Sequence, residues 1–293
     1  MRLDELLRQP QSLPVVPELA AKLIQTFEFD EVDFDALARD IEHDPVLTAR
    51  LLRQANSSFF ALLNPVGTVR EAIVVLGLNK VRALVIAAAL NASFHAVSGI
   101  HLDKFWHFSF AAATVARLLC TPRRLDANLA FTAALLHGVG ELVLHMGMPE
   151  AMASLNRRLD GVGELVLHMG MPEAMASLNR RLDAFALERA AVERLALGYS
   201  YAEAGAALAQ HWRLPRLLVT AIAQHTEPLA PAEQEPLAAV VHLASWRARL
   251  LLAGNRANEL IDHYPDDVGE ALGLDPDLLV APDVAGLDRL PAL

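Results

Sequence analysis

The chain has 293 residues, 54% of them hydrophobic, and a formal net charge of −10. A composition this apolar excludes an intrinsically disordered chain. The acidic balance disfavours nucleic-acid binding, which needs clusters of Lys and Arg against the phosphates. The single cysteine, Cys120, excludes an internal disulfide and predicts a reducing, cytoplasmic compartment, with Cys120 itself a buried small hydrophobe.

No segment is predicted to cross a membrane. The longest apolar run, residues 81–94, is interrupted by Arg82 and Asn91. It also falls short of the about 20 apolar residues that a spanning helix needs. Residues 1–14 lack the apolar centre of a signal peptide.

Helix signals dominate the chain, and alternating strand patterns are nearly absent. Phe34, Leu37, Ala38 and Ile41 fall on one face of a predicted helix that ends before a proline.

Two further helices of the N-terminal part carry recognisable caps. Asp44 followed by Pro45 is typical of an N-cap and a first helical position. Thr68 and Glu71 have the spacing of a capping box, and Gly77 is a suitable C-terminal stop. These signals predict helices that begin after Asp44 and after Thr68.

A second block of helices follows the break at residues 98–100. Each has apolar residues at helical spacing, and prolines or glycines separate several of them. The predicted ranges are 102–120, 126–137, 187–197, 201–212, 214–225 and 235–251. From Ala253 onward the chain is rich in Asp, Gly and Pro, which predicts short helices and loops.

Residues 138–160 and 161–183 are identical copies of "GVGELVLHMGMPEAMASLNRRLD". Because Gly138 and Gly140 disfavour a helix through them, each copy is predicted to be a loop, a short helix and a longer helix that begins at its proline. A recent in-frame duplication and an error of sequence assembly would leave the same pattern.

We expect the first copy to pack in the body of the domain, because it directly follows "ALLH". The surplus helix pair should lie on the surface, with its methionines partly exposed. These are Met146, Met148 and Met152, or their counterparts Met169, Met171 and Met175.

Four of the eleven histidines lie on or at the end of apolar helices: His107, His137, His225 and His242. Divalent metals favour imidazole ligands, usually with carboxylates that orient them and carry charge. The alternative is that these rings pack and hydrogen-bond in a core.

Six segments, in order, resemble the HDOD family, a bacterial output domain related to the HD phosphohydrolases. They are "LPVVPELAAKLIQTF", "LARDIEHDPVLTARLLRQANSSFF", "TVREAIVVLGLNKVRALVIAAAL", "FWHFSFAAATVARLL", "FTAALLHGVGELVL" and "GYSYAEAGAALAQHWRLPRLLVTAIAQHTEP". The resemblance implies an all-α fold, a multi-helix HD-like domain with an N-terminal helical lobe. It divides the chain into an arm (1–12), the HDOD domain (13–232) and a C-terminal helical extension with a loop-rich tail (233–293).

The resemblance also implies a remnant of the metal site of HD enzymes. His107 is the first His, and His137 is the His of the His-Asp pair, whose Asp is replaced by Gly138. Tyr201 stands where the family usually has His, and Ser245 stands where a closing Asp is expected. The remaining members of this pocket are His225 and His242.

The missing carboxylates argue against catalysis. Two divalent ions bring four positive charges, and neutral imidazoles, Gly, Tyr and Ser offset none of them. We therefore expect no catalytic residue, no cofactor and no metal. His107, His137, His225 and His242 remain the weak candidates for a single soft metal.

The resemblance implies a non-enzymatic regulatory output module that binds other signalling proteins or a small ligand. A residual metal-dependent phosphohydrolase acting on phosphoesters or cyclic nucleotides is the main alternative. A DNA-binding regulator is a third, which the acidic charge disfavours. The sequence leaves the partner and the oligomeric state open.

Overall fold

The computed structural model describes residues 1–9, 33–56, 65–78, 81, 84–86, 88, 94, 97–120, 125–156, 189–252, 264–274 and 279. Every element in these ranges is helical, which confirms the predicted all-α fold. The chain forms two compact units. The first contains residues 1–13 and 96–284, and the second contains residues 14–95 and 285–293.

In the second unit three helices pack against one another. They are α2 (Phe34–Glu42), α3 (Pro45–Ala55) and α4 (Val69–Leu76). The predicted caps are confirmed, because Asp44 accepts hydrogen bonds from the first turn of α3 and Thr68 forms a capping box with Glu71. Gly77 ends α4 with a φ of 77°, which favours glycine.

The apolar face of α2 is buried only in part. Leu37, Ala38 and Ile41 are buried, but Phe34 is 48% exposed. Phe34 is the first residue of the helix, beside its N-cap Asp33, so its side chain lies at the end of the apolar stripe.

The first unit begins with a single helical turn, α1 (Leu3–Leu6), and contains the rest of the described helices. They are α5 (Leu102–Cys120), α6 (Ala127–Leu136), α7 (Val139–Gly147), α8 (Arg189–Leu197), α9 (Tyr201–His211), α10 (Arg216–Gln224), α11 (Pro236–Leu252) and α12 (Asp266–Ala271). The bounds of α5, α6 and α8 to α11 lie within a few residues of the predicted ones.

Helices α5, α6, α10 and α11 pack against one another, and α7 packs against α9. Cys120 is buried at the end of α5, as predicted. Helix α11, which lies in the predicted C-terminal extension 233–293, packs against α5, α6 and α10. Ala127–Gly147 is long and apolar enough to cross a membrane, but 94% of that stretch is buried inside the protein.

The described residues of the first copy, 138–156, pack in this core, as predicted. The expected loop at its start is wrong, because α7 runs through Gly140. At this point α7 meets α9 so closely that a Cβ on Gly140 would overlap the carbonyl oxygen of Tyr201. Close packing of two helices therefore overrides the low helix propensity of glycine.

Residues 149–156 continue the first copy as a helical segment. Met152 is fully buried and Leu155 is 6% exposed, while Met146 and Met148 are half-buried. The second copy, with Met169, Met171 and Met175, lies outside the described residues.

Candidate functional site

His137 and His225 occupy equivalent places on two helices that pack together. Each residue follows the last helical residue, His137 after α6 and His225 after α10. The Nδ1–H of His137 donates to the carbonyl of Ala134 at 2.5 Å, and that of His225 donates to Ile222 at 2.7 Å. This bond fixes the tautomer, so the Nε2 of each neutral ring is left as an acceptor.

The two rings meet edge to face in the interior. Their centroids are 5.2 Å apart. His137 is 3% exposed, and His225 is fully buried. Burial lowers the pKa of His137 to about 4 and lowers the pKa of His225 well below its ordinary value. The nearby His137 ring lowers the pKa of His225 further. Both rings are therefore neutral at pH 7.

Tyr201, the first residue of α9, caps the free nitrogen of His225. Its hydroxyl lies 3.1 Å from Nε2 of His225 and donates to it. Burial, and next the carboxylate of Glu141, raise the pKa of Tyr201 well above its ordinary value, so the phenol keeps its proton.

His242 and Ser245 lie on α11, one turn apart. The Nδ1–H of His242 donates to the carbonyl of His225 at 2.8 Å, and its ring is half-buried. Ser245 is fully buried, and its hydroxyl makes no hydrogen bond within the described part of the chain.

Gly138 lies where the resemblance implies an aspartate. A Cβ built on it would come within 3.1 Å of the Phe105 ring, so a side chain at this position would require that ring to shift by a few tenths of an ångström. Phe108 also packs beside His137, with ring centroids 5.5 Å apart. His137 and Gly138 are therefore packed among aromatic side chains.

His107 does not join this cluster. It lies on α5 between Phe105 and Phe108, which are buried, but its own side chain is exposed. The helix turns these two phenylalanines inward and His107 outward. The structure thus brings together His137 with its neighbour Gly138, Tyr201, His225 and His242 and leaves His107 apart. Ser245 is buried one turn from His242 on α11.

Sequence reasoning missed a buried ionic cluster beside Tyr201. Arg189 lies between Glu193, at 2.9 Å, and Glu141, at 3.3 Å, and all three side chains are at most 6% exposed. Glu193 also accepts the backbone N–H of Tyr201. The i,i+4 spacing of Arg189 and Glu193 and the carboxylate in "VGELVL" were the available signals.

The cluster lacks the donors of a metal centre. Within the described ranges no three His, Cys, Asp or Glu side chains converge at a spacing that suits a metal ion. The Nε2 of His225 is already hydrogen-bonded, and Gly138 and Ser245 supply no carboxylate. The binuclear centre of HD enzymes needs anionic ligands, and the described residues of this cluster include none.

A surface cleft of about 440 Å³ opens on the outer side of His242. The loop after α10 and the start of α12 form its walls, with Thr226 and Leu229 on one side and Tyr264 and Asp267 on the other. Its volume is within the range of small-molecule sites.

The sequence matches the HDOD domain over residues 13–161 and 159–228, and the break between the matches lies at the junction of the two copies. A protein of Treponema pallidum (strain Nichols), described as uncharacterised, is 24% identical over 80% of this chain. The chain spans 42% of the length of that curated relative.

Two solved structures resemble the protein over nearly its whole length. An HDOD domain protein of unknown function from Geobacter sulfurreducens has a TM-score of 0.75 at 23% identity, covering 99% of this chain and 97% of that chain. A candidate phosphohydrolase from Shewanella amazonensis SB2B has a TM-score of 0.68 at 28% identity, and the match covers 94% of this chain and 91% of that chain. Together with the matched sequence, these likenesses establish that the chain belongs to the HDOD domain family.

Proposed function

We propose that this protein is a non-catalytic, cytoplasmic regulatory module that acts by binding a signalling protein or a small ligand. The observation that carries the proposal is the state of the His225 ring. Its Nδ1–H is bonded to a backbone carbonyl, and its Nε2 receives the Tyr201 hydroxyl. A ring satisfied at both nitrogens has no lone pair for a metal.

The environment of the cluster supports the same conclusion. A hydrolytic metal needs anionic ligands and an open coordination position for water. His137 and His225 are buried among aromatic rings, and Phe105 fills the place beside Gly138. A phosphoester would have to displace this packing to reach the imidazoles.

The cleft beside His242 supports binding rather than turnover. Asp266 and Asp267 are exposed at its rim, and no described Lys or Arg side chain lines it. Carboxylates at the rim repel phosphates, so the cleft is poorly suited to an anionic substrate. A neutral or cationic ligand, or a segment of a partner protein, fits its charge better.

A residual phosphohydrolase is the second candidate. It is favoured by the description of the Shewanella amazonensis relative as a candidate phosphohydrolase. Such an enzyme would use His137 and His225, and Tyr201 would have to release Nε2 of His225 when a metal binds.

The two candidates are separated by a turnover assay on the full chain. The purified protein is incubated with excess manganese and either bis(p-nitrophenyl) phosphate or a cyclic dinucleotide. We expect no turnover by the chain or by Tyr201→Phe, which frees Nε2 of His225 without adding a carboxylate. Turnover that His137→Ala abolishes would support the phosphohydrolase and contradict the proposal.

Binding at the cleft is tested by photo-crosslinking in the native host. A photoreactive residue replaces Asp267 at the cleft or, as a matched control, the exposed Asp103 on α5. We expect a discrete adduct only from position 267. An absence of adducts at 267, or the same adducts at both positions, would argue against the cleft as the binding surface.

A further inference from the structure

The turn between α9 and α10 holds an arginine in a strained backbone conformation. Arg213 has a φ of 57°, and it is the non-glycine residue with a positive φ among those that the structure describes. This left-handed region favours glycine, because a Cβ crowds the backbone there. Glycine is also the usual residue just after the end of a helix. An arginine at this position therefore lowers the stability of the fold.

The backbone of the turn is fixed by hydrogen bonds that do not involve the arginine side chain. The N–H of Arg213 donates to the carbonyl of Gln210 at 2.9 Å, and the N–H of Leu214 donates to that of Ala209 at 3.0 Å. Leu214 is 8% exposed and anchors the turn in the core. Glycine at position 213 would form the same turn, so the fold alone does not explain the arginine.

The side chain of Arg213 gains no contact that offsets this strain. It is exposed, and it forms no ion pair or hydrogen bond within the described ranges. The same holds for the side chain of Arg216, the first residue of α10. Strain that the fold itself does not offset is concentrated at functional sites. Both guanidinium groups are available to a binding partner.

The turn is a basic surface on an acidic protein. The chain carries a net charge of −10, yet residues 204–226 contain no Asp or Glu. Arg213 and Arg216 both lie in this segment, and the neighbouring His211 is exposed as well. Guanidinium groups bind carboxylates through paired, charge-assisted hydrogen bonds. A partner that complements this surface therefore carries carboxylates.

A short acidic segment of a protein fits the turn better than an extended polyanion does. The net charge of −10 repels nucleic acid. Charges farther away than a Debye length of about 8–10 Å are screened, so a short segment interacts mainly with the two arginines. Leu217 is 47% exposed and Trp212 is half-buried, so the surface also offers apolar contact. Arginine and tryptophan are enriched among the residues that dominate protein interfaces.

We propose that residues 211–217, the basic turn, dock an acidic segment of a partner protein. The basic turn lies at the start of α10, whereas the cleft beside His242 is lined by residues that follow the end of that helix, roughly 13 Å farther along its axis. The two surfaces are therefore distinct. The proposal rests on the proposed role as a binding module, but it does not depend on the cleft.

Photo-crosslinking in the native host tests the partner. A photoreactive residue replaces Leu217 or, as a control, Leu195, which is 90% exposed on α8. We expect an adduct from position 217 alone, with a cross-linked peptide rich in Asp and Glu. Combined Arg213→Glu and Arg216→Glu should reduce the adduct at least about tenfold, and Arg53→Glu, at an exposed arginine of α3, should leave it unchanged. A missing adduct, an adduct with nucleic acid, or one that the charge reversal leaves intact would overturn the proposal.

Arg213→Gly separates a binding role from a structural one. Release of the left-handed strain should raise the melting temperature by about 2–4 °C, while the adduct from position 217 should fall at least about threefold. A lower melting temperature would show that the side chain serves the fold and would overturn the proposal. Loss of the basic turn as a docking surface leaves the metal and turnover results untouched, whereas turnover that His137→Ala abolishes would contradict the proposed function without removing the adduct.

Discussion

Acid should destabilise this protein through the buried His137 ring. The pKa of His137 in the folded protein is about 4, lowered from 6.5 mainly because the ring is fully buried. Between these two values the unfolded chain binds the proton and the folded protein does not. The stability associated with the neutral ring is therefore complete above about pH 6.5 and falls as the pH drops toward 4.

The loss is large enough to measure. Linkage between the two pKa values gives a loss of roughly 2–3 kcal/mol on going from pH 7 to pH 4.5. Domain stabilities are about 5–15 kcal/mol, so one ring removes a substantial fraction. The pKa of His225 is also lowered, which adds to the loss, but the rings are 5.2 Å apart and would not both accept charge readily.

The assay is urea unfolding at pH 7 and pH 4.5 for the native chain and for His137→Asn. Asparagine does not titrate, and its amide can still donate to the Ala134 carbonyl that holds the imidazole. Carboxylates that protonate over this range contribute equally to both proteins and cancel in the comparison. We expect the native chain to lose roughly 2–3 kcal/mol more on acidification than the variant does.

His107→Asn, at an exposed histidine of α5, is the control and should show the same acid loss as the native chain. Equal losses for the native chain and His137→Asn would show that the ring takes up its proton without unfolding. That result would refute the assignment of His137 as a neutral ring buried away from water.

Three further predictions are checked by urea unfolding at pH 7. Arg189→Leu should cost about 3–5 kcal/mol because it removes the buried cation that lies between Glu141 and Glu193, whereas Arg70→Leu, at an exposed ion pair, should cost less than about 1 kcal/mol. Equal losses of unfolding free energy in Arg189→Leu and Arg70→Leu would contradict the burial of the Arg189 cluster. Gly140→Ala should cost at least about 3 kcal/mol through overlap with the α9 backbone. Gly67→Ala, where a Cβ would meet nothing within 4 Å, should cost less than about 1 kcal/mol, and equal costs would contradict the close approach of α7 and α9. Tyr201→Phe should cost about 1–3 kcal/mol because a buried imidazole nitrogen loses its donor, and no loss would argue against that hydrogen bond.

Helix bounds and caps could be predicted because they depend on residues close in the chain. The side chains of Asp44 and Thr68 bond to backbone N–H groups within three residues, so the pattern contains both partners. Gly140 could not be predicted in this way. Its place inside α7 depends on the approach of α9, whose residues lie more than sixty positions later.

In the candidate site, too, some features could be predicted from residues close in the chain, and others depend on distant ones. The ends of two apolar helices and the family resemblance were enough to single out His137 and His225. Which face of α5 points inward was not visible, because almost every residue around His107 is apolar or aromatic. The Arg189 cluster was missed because its two glutamates come from different helices, and only the assembled core shows that all three charges are buried.

The metal content of the protein tests the central claim most directly. The full chain is purified, incubated with excess manganese or zinc, freed of unbound metal by gel filtration and measured by elemental analysis. A packed cluster whose His225 nitrogen is held by Tyr201 predicts far less than one metal ion per chain, unchanged in His137→Ala. One or two ions per chain, lost in His137→Ala, would show a working metal site and contradict the proposed non-catalytic role.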